Sequence, residues 1–578
     1  MRLSKLIYRN LVHFRRTHAG LVFGSMMATA VLVGALIVGD SMRHSLRQMS
    51  LRRLGKTVYA ITSGDFFAAS MAMRLEEDLG VPVAPVLHIQ GLARKSGGQI
   101  QVNPVQIYGI TDDFPQFAHE SFQIAALKSD EVLINTVLAE KLNVKAGETF
   151  LLRFEKDAAI PGDMPLSTRE SQSAVMRLTV RDILTSQQLG HFSLRISQIP
   201  PASLFLPLTA INEILDQNGK VNVLLIGNTP TQSRTQGEIV SAFKKIWLPS
   251  DAGLSFLIRP KRRMIELVSD RIFMDKNITD PALHIGESGS GILTYFANRI
   301  KSDQGVTPYS FISTIDGHDL PDSMTDQDII VSPWLAEDLT LSSGDSVTVS
   351  YYIVNETSDL IESSTRFYVH SVLPSSSPFL SSSLMPDIPG LSDSENCRDW
   401  DPGIPIDLNL IRPKDEDYWA TFKGTPKALI SLSAGKKIWA NRFGHLTAIQ
   451  YPQSVNTLDL LQSELQIRLD PFKLGFQLTS VRDEALQAGD QGVDFGQLFL
   501  GLSFFIIASA LMLLGLFFVF AIEQRQEEIG LLAAIGFQRT QIRNLLILEG
   551  GVLALIGTGL GIGGGLLFTK LTLNLLGT

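Results

Sequence analysis

The sequence has one cysteine, Cys397, in 578 residues. A single thiol excludes a disulfide-stapled scaffold and a zinc site built from several thiolates. The motif G-x-x-x-x-G-K-[ST] is absent, so the chain has no Walker A phosphate-binding loop of its own. The metalloprotease motif H-E-x-x-H is absent as well, and the ten histidines are scattered, with His13 and His18 as the closest pair. We therefore expect a non-catalytic chain without a metal or cofactor.

One short stretch comes close to a catalytic motif. Residues 286–291 read Gly-Glu-Ser-Gly-Ser-Gly, but serine occupies the last position of the G-x-S-x-G pattern of a nucleophile elbow. This stretch predicts a flexible turn, followed by a helix at 292–300.

Charged residues are missing from three apolar runs, 19–39, 495–522 and 550–569. Each reaches the roughly 20 residues that a helix needs to cross the hydrocarbon core. They explain a positive mean hydropathy of +0.15 in a chain with 19% charged residues. The alternative for the first run is a cleaved signal peptide, but the run exceeds a typical h-region and no A-x-A site follows it. We predict three transmembrane helices.

Basic residues predict the orientation of these helices. Five precede the first run and three lie between the second and third, which places both segments in the cytoplasm. Residues 40–494 then form an extracytoplasmic domain of about 455 residues, and 570–578 form an external tail. Residues 1–56 carry a net charge of +9 and residues 57–494 carry −17, so the outer body gives no indication of nucleic-acid binding.

The N-terminal residues 1–18 have apolar side chains at helical spacing. They predict an amphipathic helix along the cytoplasmic leaflet, and the alternative is a simple extension of the first span. The apolar positions are Leu3, Leu6, Ile7, Leu11 and Phe14.

The outer domain contains an internal repeat whose first segment recurs 197 residues later. In each copy a β-branched strand ends at an N-cap residue, Asn135 or Ser332, and a short helix and a Gly-acidic turn follow. The order of elements predicts two related α+β lobes, at about 57–227 and 255–455. The matching segments are 131–148 with 328–345, 176–184 with 365–373, and 204–215 with 428–439.

An acidic segment rich in serine and proline, 374–424, interrupts the second lobe. Clustered carboxylates suit calcium, but the twelve-residue EF-hand spacing is absent. The segment is more typical of a solvated insertion that Trp400 and Trp419 partly tie down.

The cytoplasmic segment 523–549 is amphipathic. Ile529, Leu532 and Ile535 predict an apolar stripe on a short helix that Gly536 ends. A partner, the chain's own helix ends or lipid headgroups must cover this stripe. In the third run a row of glycines at four-residue spacing predicts close helix packing without indicating a particular partner. The row consists of Gly557, Gly561 and Gly565, with Gly559 and Gly563 in a second row.

These features together resemble a known family, the FtsX/MacB-like (LolC/LolE-like) permease subunits of ABC transporters. The resemblance is strongest in 494–550 and covers essentially the whole chain. The stretches that carry it are Asp494–Phe499, Glu523–Arg525, Glu528–Leu532, Gly536–Phe537 and Leu546–Gly550.

The resemblance implies a MacB-like periplasmic core and a place in the bacterial inner membrane. It also implies that a separate cytoplasmic ABC ATPase drives export, extraction or mechanotransmission of a lipoprotein, amphiphile or peptide. The alternative is an FtsX-like regulator that activates an extracytoplasmic protein partner such as a cell-wall hydrolase. The implied ATPase-coupling residues are Glu527, Glu528, Ile529, Gly530, Leu531, Leu532, Ile535 and Gly536.

The chain departs from the family pattern at its C-terminus. The family's unit has four spans, whereas this sequence stops at Thr578 after the third. The resemblance therefore leads us to expect a second permease unit, or the missing C-terminal half, from another chain.

Overall fold

The computed structural model describes residues 3–120, 122, 127–156, 173–195, 197, 199–229, 232–260, 262–286, 289–317, 320–355, 360–392, 394–400, 404–454, 457–491 and 495–575. The chain divides into two compact units. The helical unit comprises Met1–Leu54, Leu194–Ile199 and Arg482–Thr578, and the α+β unit comprises Gly55–Ser193 and Pro200–Val481.

The α-helices are α1 (Leu3–His13), α2 (Arg15–Leu54), α3 (Met71–Leu79), α4 (Thr136–Leu142), α5 (Leu208–Leu215), α6 (Gln236–Ile246), α7 (Lys276–Ala282), α8 (Pro333–Asp338), α9 (Pro413–Phe422), α10 (Leu432–Trp439), α11 (Thr457–Arg468), α12 (Val481–Gln491), α13 (Phe495–Glu523), α14 (Gln526–Ala534) and α15 (Arg539–Leu575).

The β-strands are β1 (Thr57–Ala68), β2 (Val83–Lys95), β3 (Gln101–Ile110), β4 (Glu131–Asn135), β5 (Thr149–Glu155), β6 (Ser173–Leu184), β7 (Ser203–Pro207), β8 (Lys220–Gly227), β9 (Leu254–Arg259), β10 (Met264–Ser269), β11 (Ser290–Ile292), β12 (Tyr295–Lys301), β13 (Val306–Ile315), β14 (Asp328–Val331), β15 (Ser346–Val354), β16 (Leu360–Val372), β17 (Ala428–Ser431), β18 (Ala448–Pro452) and β19 (Phe476–Thr479).

In the helical unit, α2 packs against both α13 and α15. It is a continuous helix of 40 residues and contains no proline that would interrupt its hydrogen bonds. Leu21 of α2, Ala521 of α13 and Leu553 of α15 form a buried cluster where the three helices meet. The predicted first span, 19–39, is therefore the middle of a much longer helix.

Two helices among the described residues are long and apolar enough to cross a membrane, His18–Ser41 and Arg539–Leu571. The second predicted run lies in α13. It passes the same criteria as part of a bent pair, Ile507–Glu523 with Gln526–Ala534, whose axes differ by 52°. The prediction of three spans is thus supported for two, and the count reaches three if the bent pair is one span. The bend falls at Gln524 and Arg525, where polar residues interrupt the apolar run.

Helix α1 directs part of its predicted apolar stripe toward the rest of the helical unit. Ile7 packs beside a cluster of α14 and α15 side chains, and Leu11 packs beside the buried cluster around Leu21. Tyr8 and Val12, on the other side of α1, are exposed.

The first lobe of the α+β unit is a nine-stranded sheet, in the order β19-β1-β8-β2-β3-β7-β4-β6-β5. An additional pairing of β2 with β5 joins the six strands from β2 to β5 into a closed ring. Strand β19 comes from outside the predicted lobe boundary and pairs with β1 at the edge of the sheet.

The second lobe contains a closed barrel with the strand order β12-β13-β17-β14-β16-β15. Its pairing repeats that of the ring in the first lobe. In the two copies, β4 and β14 pair in parallel with β6 and β16, and antiparallel with β7 and β17. The short helices α4 and α8 begin at N-caps as expected, because Asn135 accepts from Leu138 N at 2.9 Å and Ser332 accepts from Leu335 N at 3.2 Å.

The predicted helix at 292–300 is wrong. Residues 290–292 form β11, and Tyr295–Lys301 forms β12 of the barrel, where Tyr295 and Ile300 are buried. Aromatic and β-branched side chains favour a strand here, and barrel pairing on both sides stabilises it. Of the predicted turn before this segment, residues 287–288 lie outside the described residues.

The acidic segment 374–424 is folded rather than merely solvated. Ile388, Leu391 and Cys397 are buried in the core of the α+β unit. Trp400 and Trp419 pack edge to face with their ring centroids 4.8 Å apart, so the two tryptophans do hold the segment in place. Its residues 393 and 401–403 lie outside the described residues.

Candidate functional site

The predicted coupling residues lie on and beside α14, and they do not all face one way. Leu531 is 66% exposed and Ile535 is 67% exposed. Glu527, which is also exposed, precedes them at the same four-residue spacing. Because side chains four residues apart lie on one side of a helix, these three form a single exposed row. We call Glu527, Leu531 and Ile535 the α14 row.

Leu532 faces the interior of the helical unit. It is 9% exposed and packs in a cluster with Ile542 and Leu545 of α15. Ile529 lies beside the same cluster. The predicted stripe of Ile529, Leu532 and Ile535 is therefore divided, because its first two members are covered by the chain's own helices and the third is exposed.

The remaining predicted coupling residues lie around these two faces. Glu528 accepts a hydrogen bond from Arg525 Nε at 2.8 Å. At Gly530 and at Gly536, which has a φ of +94°, no described atom lies within 4 Å of the position that a Cβ would occupy. Gly536 follows α14 in this left-handed conformation, which glycine adopts at low cost.

The predicted packing glycines of α15 lie against α2. A Cβ on Gly557 would lie 2.7 Å from Ser25 Cβ, one on Gly561 would lie 2.6 Å from Thr29 Cβ, and one on Gly565 would lie 3.1 Å from Val33 Cβ. Ser25 also donates to the carbonyl of Ala554 at 3.2 Å. The first glycine row thus permits close approach of two helices.

The second glycine row has a different environment. At Gly559 and Gly563, no described atom lies within 4 Å of a Cβ position. Large apolar side chains on α13 and α15 are also exposed, including Phe505 and Leu555 at 74% each. These surfaces are apolar enough to contact lipid or another helix.

A buried charge cluster joins three helical segments, and sequence reasoning missed it. Arg525 donates to Glu549 with Nη1 and Oε2 2.8 Å apart, and His18 Nε2 lies 3.2 Å from Glu549 Oε1. The guanidinium of Arg525 also lies 4.4 Å from the ring centroid of Phe14. The three charged or titratable residues lie close to the ends of the apolar runs, and the sequence analysis did not connect them: His18 entered it in the closest histidine pair, and Arg525 as one of the basic residues between the second and third runs.

The α+β unit contains a cleft of about 1000 Å3 over one face of the four-stranded sheet β11-β18-β10-β9. Strand residues placed opposite one another in the pairing, such as Leu257 and Glu266, line its floor. Met385 from the acidic segment and Trp419 of α9 line it as well, and Lys156 of the first lobe contributes from another side. The lining is thus a mixture of apolar, cationic and anionic groups.

Lys427 is an unusual buried cation beside this region. Its side chain is 4% exposed, and its ammonium lies 4.2 Å from the ring centroid of Trp334 and 4.7 Å from that of Tyr418. Burial lowers the pKa of Lys427 to about 8, although Asp415, 3.7 Å away, opposes that change. The same surroundings raise the pKa of the Cys397 thiol to about 12, chiefly through burial.

Metal-ligating residues are not gathered anywhere in the part of the chain that the structure describes: no group of three or more His, Cys, Asp and Glu side chains could hold an ion. In the acidic segment, Asp415 instead pairs with Arg412 at 2.7 Å.

Comparison with known proteins places the helical unit in context. Residues 500–577 match the family model described as FtsX-like permease C-terminal. No curated protein matches the chain. Among solved structures, the chain is similar to the periplasmic region of MacB from Actinobacillus actinomycetemcomitans, with 14% identity and a TM-score of 0.23 over 34% of this chain and 86% of that one. It is also similar to the extracellular domain of the ABC-type transporter YknZ from Gram-positive bacteria, with 12% identity and a TM-score of 0.21 over 32% of this chain and 88% of that one.

The matched residues include most of α13 and all of α14 and α15. They contain the α14 row, the buried cluster around Leu532 and both glycine rows. The predicted resemblance of this chain to FtsX/MacB-like permeases is thus confirmed over residues 500–577, which match the FtsX-like permease C-terminal model.

Proposed function

We propose that this chain is the permease subunit of an ABC transporter and that a separate cytoplasmic ATPase drives it. The observation that carries this proposal is the α14 row, which exposes Leu531 and Ile535 within the segment that matches the permease family. The sequence has no Walker A motif, which supports an ATPase on a separate chain.

The proposed topology has three spans, with α13 as the second; α14 follows it after a bend of 52°. The N-terminus and α14 lie in the cytoplasm, and the α+β unit lies outside the bacterial inner membrane. The basic residues before the first run and between the second and third support this orientation.

The proposed ATPase contact is apolar at its centre and acidic at one end. Leu531 and Ile535 lie one helical turn apart, and each is about two-thirds exposed, so they are suited to fill a groove on a partner. Glu527 at the start of the row adds a charge that a basic residue of the partner can pair with. On the inward face of α14, Leu532 packs against α15 and holds the helix in place, so the α14 row has a defined position.

The experiment is a pull-down of the tagged full-length chain from membranes of its source bacterium, with the captured proteins identified by mass spectrometry. We expect a stoichiometric protein that contains a Walker A motif. If no such ATPase is recovered from membranes in which the chain is inserted, the proposal is wrong.

We further propose that the cleft of the α+β unit is where the chain meets its extracytoplasmic partner or cargo. Its mixed lining, with Leu257 and Trp419 beside Lys156 and Glu266, fits a peptide or lipoprotein segment better than a purely apolar molecule. A photo-crosslinking residue at Leu257, with one at the exposed Val175 as control, tests this in the full chain.

The identity of the crosslinked molecule separates the two functional hypotheses. A lipoprotein, peptide or amphiphile supports transport or extraction, whereas a peptidoglycan hydrolase supports an FtsX-like regulator. Equal labelling at both positions would exclude the cleft as the contact site.

We also propose that another chain supplies a second permease unit. The exposed apolar faces of α13 and α15 would contact that unit and membrane lipid. Recovery of a second FtsX-like chain in the same pull-down would support this assignment.

A further inference from the structure

The Glu549 carboxylate lies between the guanidinium of Arg525 and the imidazole of His18, which belong to different helical segments. Its Oε2 accepts from Arg525, which directly precedes α14, at 2.8 Å. Its Oε1 lies 3.2 Å from Nε2 of His18, at the start of the apolar run of α2. Glu549 itself belongs to α15, so one carboxylate links α2, α14 and α15.

All three side chains are withdrawn from solvent. The side chain of Glu549 is 3% exposed, that of Arg525 is 5% and that of His18 is 6%. Ionisable groups at such positions are expensive to bury, and they persist where they are paired and where they serve a function. Loss of one partner leaves the others buried without compensation, so the cluster resists being pulled apart.

Arg525 makes two ion pairs, one with a residue close to it in the sequence and one with a residue on a different helix. Its Nε pairs with Glu528, which lies on α14 three residues later, so this pair moves with the coupling helix. Its Nη1 pairs with Glu549 on α15, so that pair connects the coupling helix to the rest of the bundle. The second connection between α14 and α15 is apolar, through Leu532, Ile542 and Leu545.

We propose that Glu549 is a positioning residue that transmits movement of α14 to α2 and α15. The inference rests on the proposed function, because it assumes that an ATPase displaces α14. A displacement of α14 moves Arg525, which is hydrogen-bonded to Glu549. Glu549 in turn contacts His18 and so transmits the displacement to α2. Apolar side chains such as Leu532 can slide past one another, whereas a buried ion pair holds its atoms within hydrogen-bond distance. The charge cluster therefore makes the connection of α14 to α2 and α15 rigid.

The test uses the full chain in nanodiscs with the Walker A ATPase captured in the pull-down. Spin labels on cysteines introduced at Met49 of α2 and Leu571 of α15, both exposed, report one distance within the helical unit. Cys397 is buried and stays unlabelled. The distance is measured without nucleotide and after trapping with ATP and vanadate. Glu549→Gln is compared with Glu523→Gln, which removes an exposed carboxylate from the end of α13.

We expect the wild type and Glu523→Gln to change distance on trapping. Glu549→Gln should bind the ATPase as well as the wild type does, and it should lose most of that change. A Glu549→Gln variant that binds the ATPase and retains the full change would overturn the proposal and leave the proposed function standing. A wild type that captures no ATPase would overturn both.

A second variant guards against simple misfolding. If Glu549→Gln is not recovered folded, Arg525→Met combined with Glu549→Leu replaces the ion pair by apolar side chains of similar size, a change that often preserves stability. A folded double variant that binds the ATPase and lacks the distance change supports transmission through the charge cluster. The same variant with the full change overturns it, because packing alone would then transmit the movement.

Discussion

Leu531 and Leu532 are neighbours in the sequence and face opposite environments. The first is 66% exposed, and the second is 9% exposed and packed against α15. Adjacent residues on a helix point about 100° apart, so a short helix lying on a bundle presents one residue outward and buries the next. This relationship divides the predicted coupling segment into an exposed face and a face that packs against the chain's own helices.

The first prediction separates these two faces by mutation. Replacing both Leu531 and Ile535 with Asp should abolish co-purification of the ATPase while membrane insertion and melting temperature stay unchanged, because both side chains are exposed. Leu532→Asp should instead lower the melting temperature, since it places a charge in the apolar cluster with Ile542 and Leu545. Pull-down and thermal melting of the two variants in parallel check both statements. ATPase binding that persists in the Leu531/Ile535 variant would refute the assignment.

The second prediction concerns the glycines of α15. Gly561→Val should destabilise the helical unit by about 1–3 kcal/mol, because even a Cβ would lie 2.6 Å from Met26 O and Thr29 Cβ. Gly559→Val, two residues away, should have little effect, since no described atom lies within 4 Å of its Cβ position. Denaturant unfolding in mixed micelles measures the difference. Equal stability of the two variants would show that the contact between α2 and α15 is not close.

The third prediction is a dependence of stability on pH. The pKa of folded Lys427 is lowered to about 8, mainly by burial, from 10.5. Between these values the unfolded chain holds a proton that the folded chain has released, so the free energy of unfolding should rise with pH, by about 3 kcal/mol across the window. Lys427→Met should lack this rise. Tryptophan fluorescence during chemical unfolding at pH 7, 8, 9 and 10.5 (roughly spanning that window) measures the difference between the two proteins.

The difference in unfolding free energy between wild type and Lys427→Met isolates the titration of Lys427 from that of all other groups in the same pH range. A constant gap between wild type and Lys427→Met from the lowest to the highest pH would contradict the assignment of a depressed pKa to Lys427.

The fourth prediction concerns the single cysteine. Burial raises the pKa of Cys397 to about 12, and the thiolate is the reactive form, so the native protein should react slowly with maleimides near neutral pH. Full labelling is expected after unfolding in guanidinium. A cysteine introduced at the exposed Val175 supplies the rate of an accessible thiol for comparison. Rapid stoichiometric labelling of native Cys397 would refute the prediction.

Much of the α+β unit could be predicted from the sequence, because local signals there agree with the fold. Asn135 and Ser332 are both N-caps, and each follows a buried strand that its sequence pattern indicates. The pairing that closes each ring is a long-range property, and no local pattern carries it. The strand at Tyr295–Lys301 was missed for this reason, since a short apolar run alone does not distinguish a helix from a strand.

The candidate site was predictable in position and not in orientation. Sequence periodicity placed α14 correctly, but it could not tell whether Leu531 or Leu532 meets the bundle, because that depends on where α15 lies. The pairing of His18 with Glu549 joins residues 531 positions apart through tertiary packing alone. Sequence reasoning registers such residues singly, and only the packing of the helices brings them together.

The uninterrupted length of α2 has a mechanical consequence. Forty residues of helix extend about 60 Å, so tilting this rod by about 10° around its N-terminal end would sweep its far end through about 10 Å. His18 lies near the short arm of that lever and Leu54 ends the long one. A displacement of an ångström or two beside Glu549 is thereby amplified severalfold at the residue where the chain leaves the bundle, without any change in the internal hydrogen bonds of the helix.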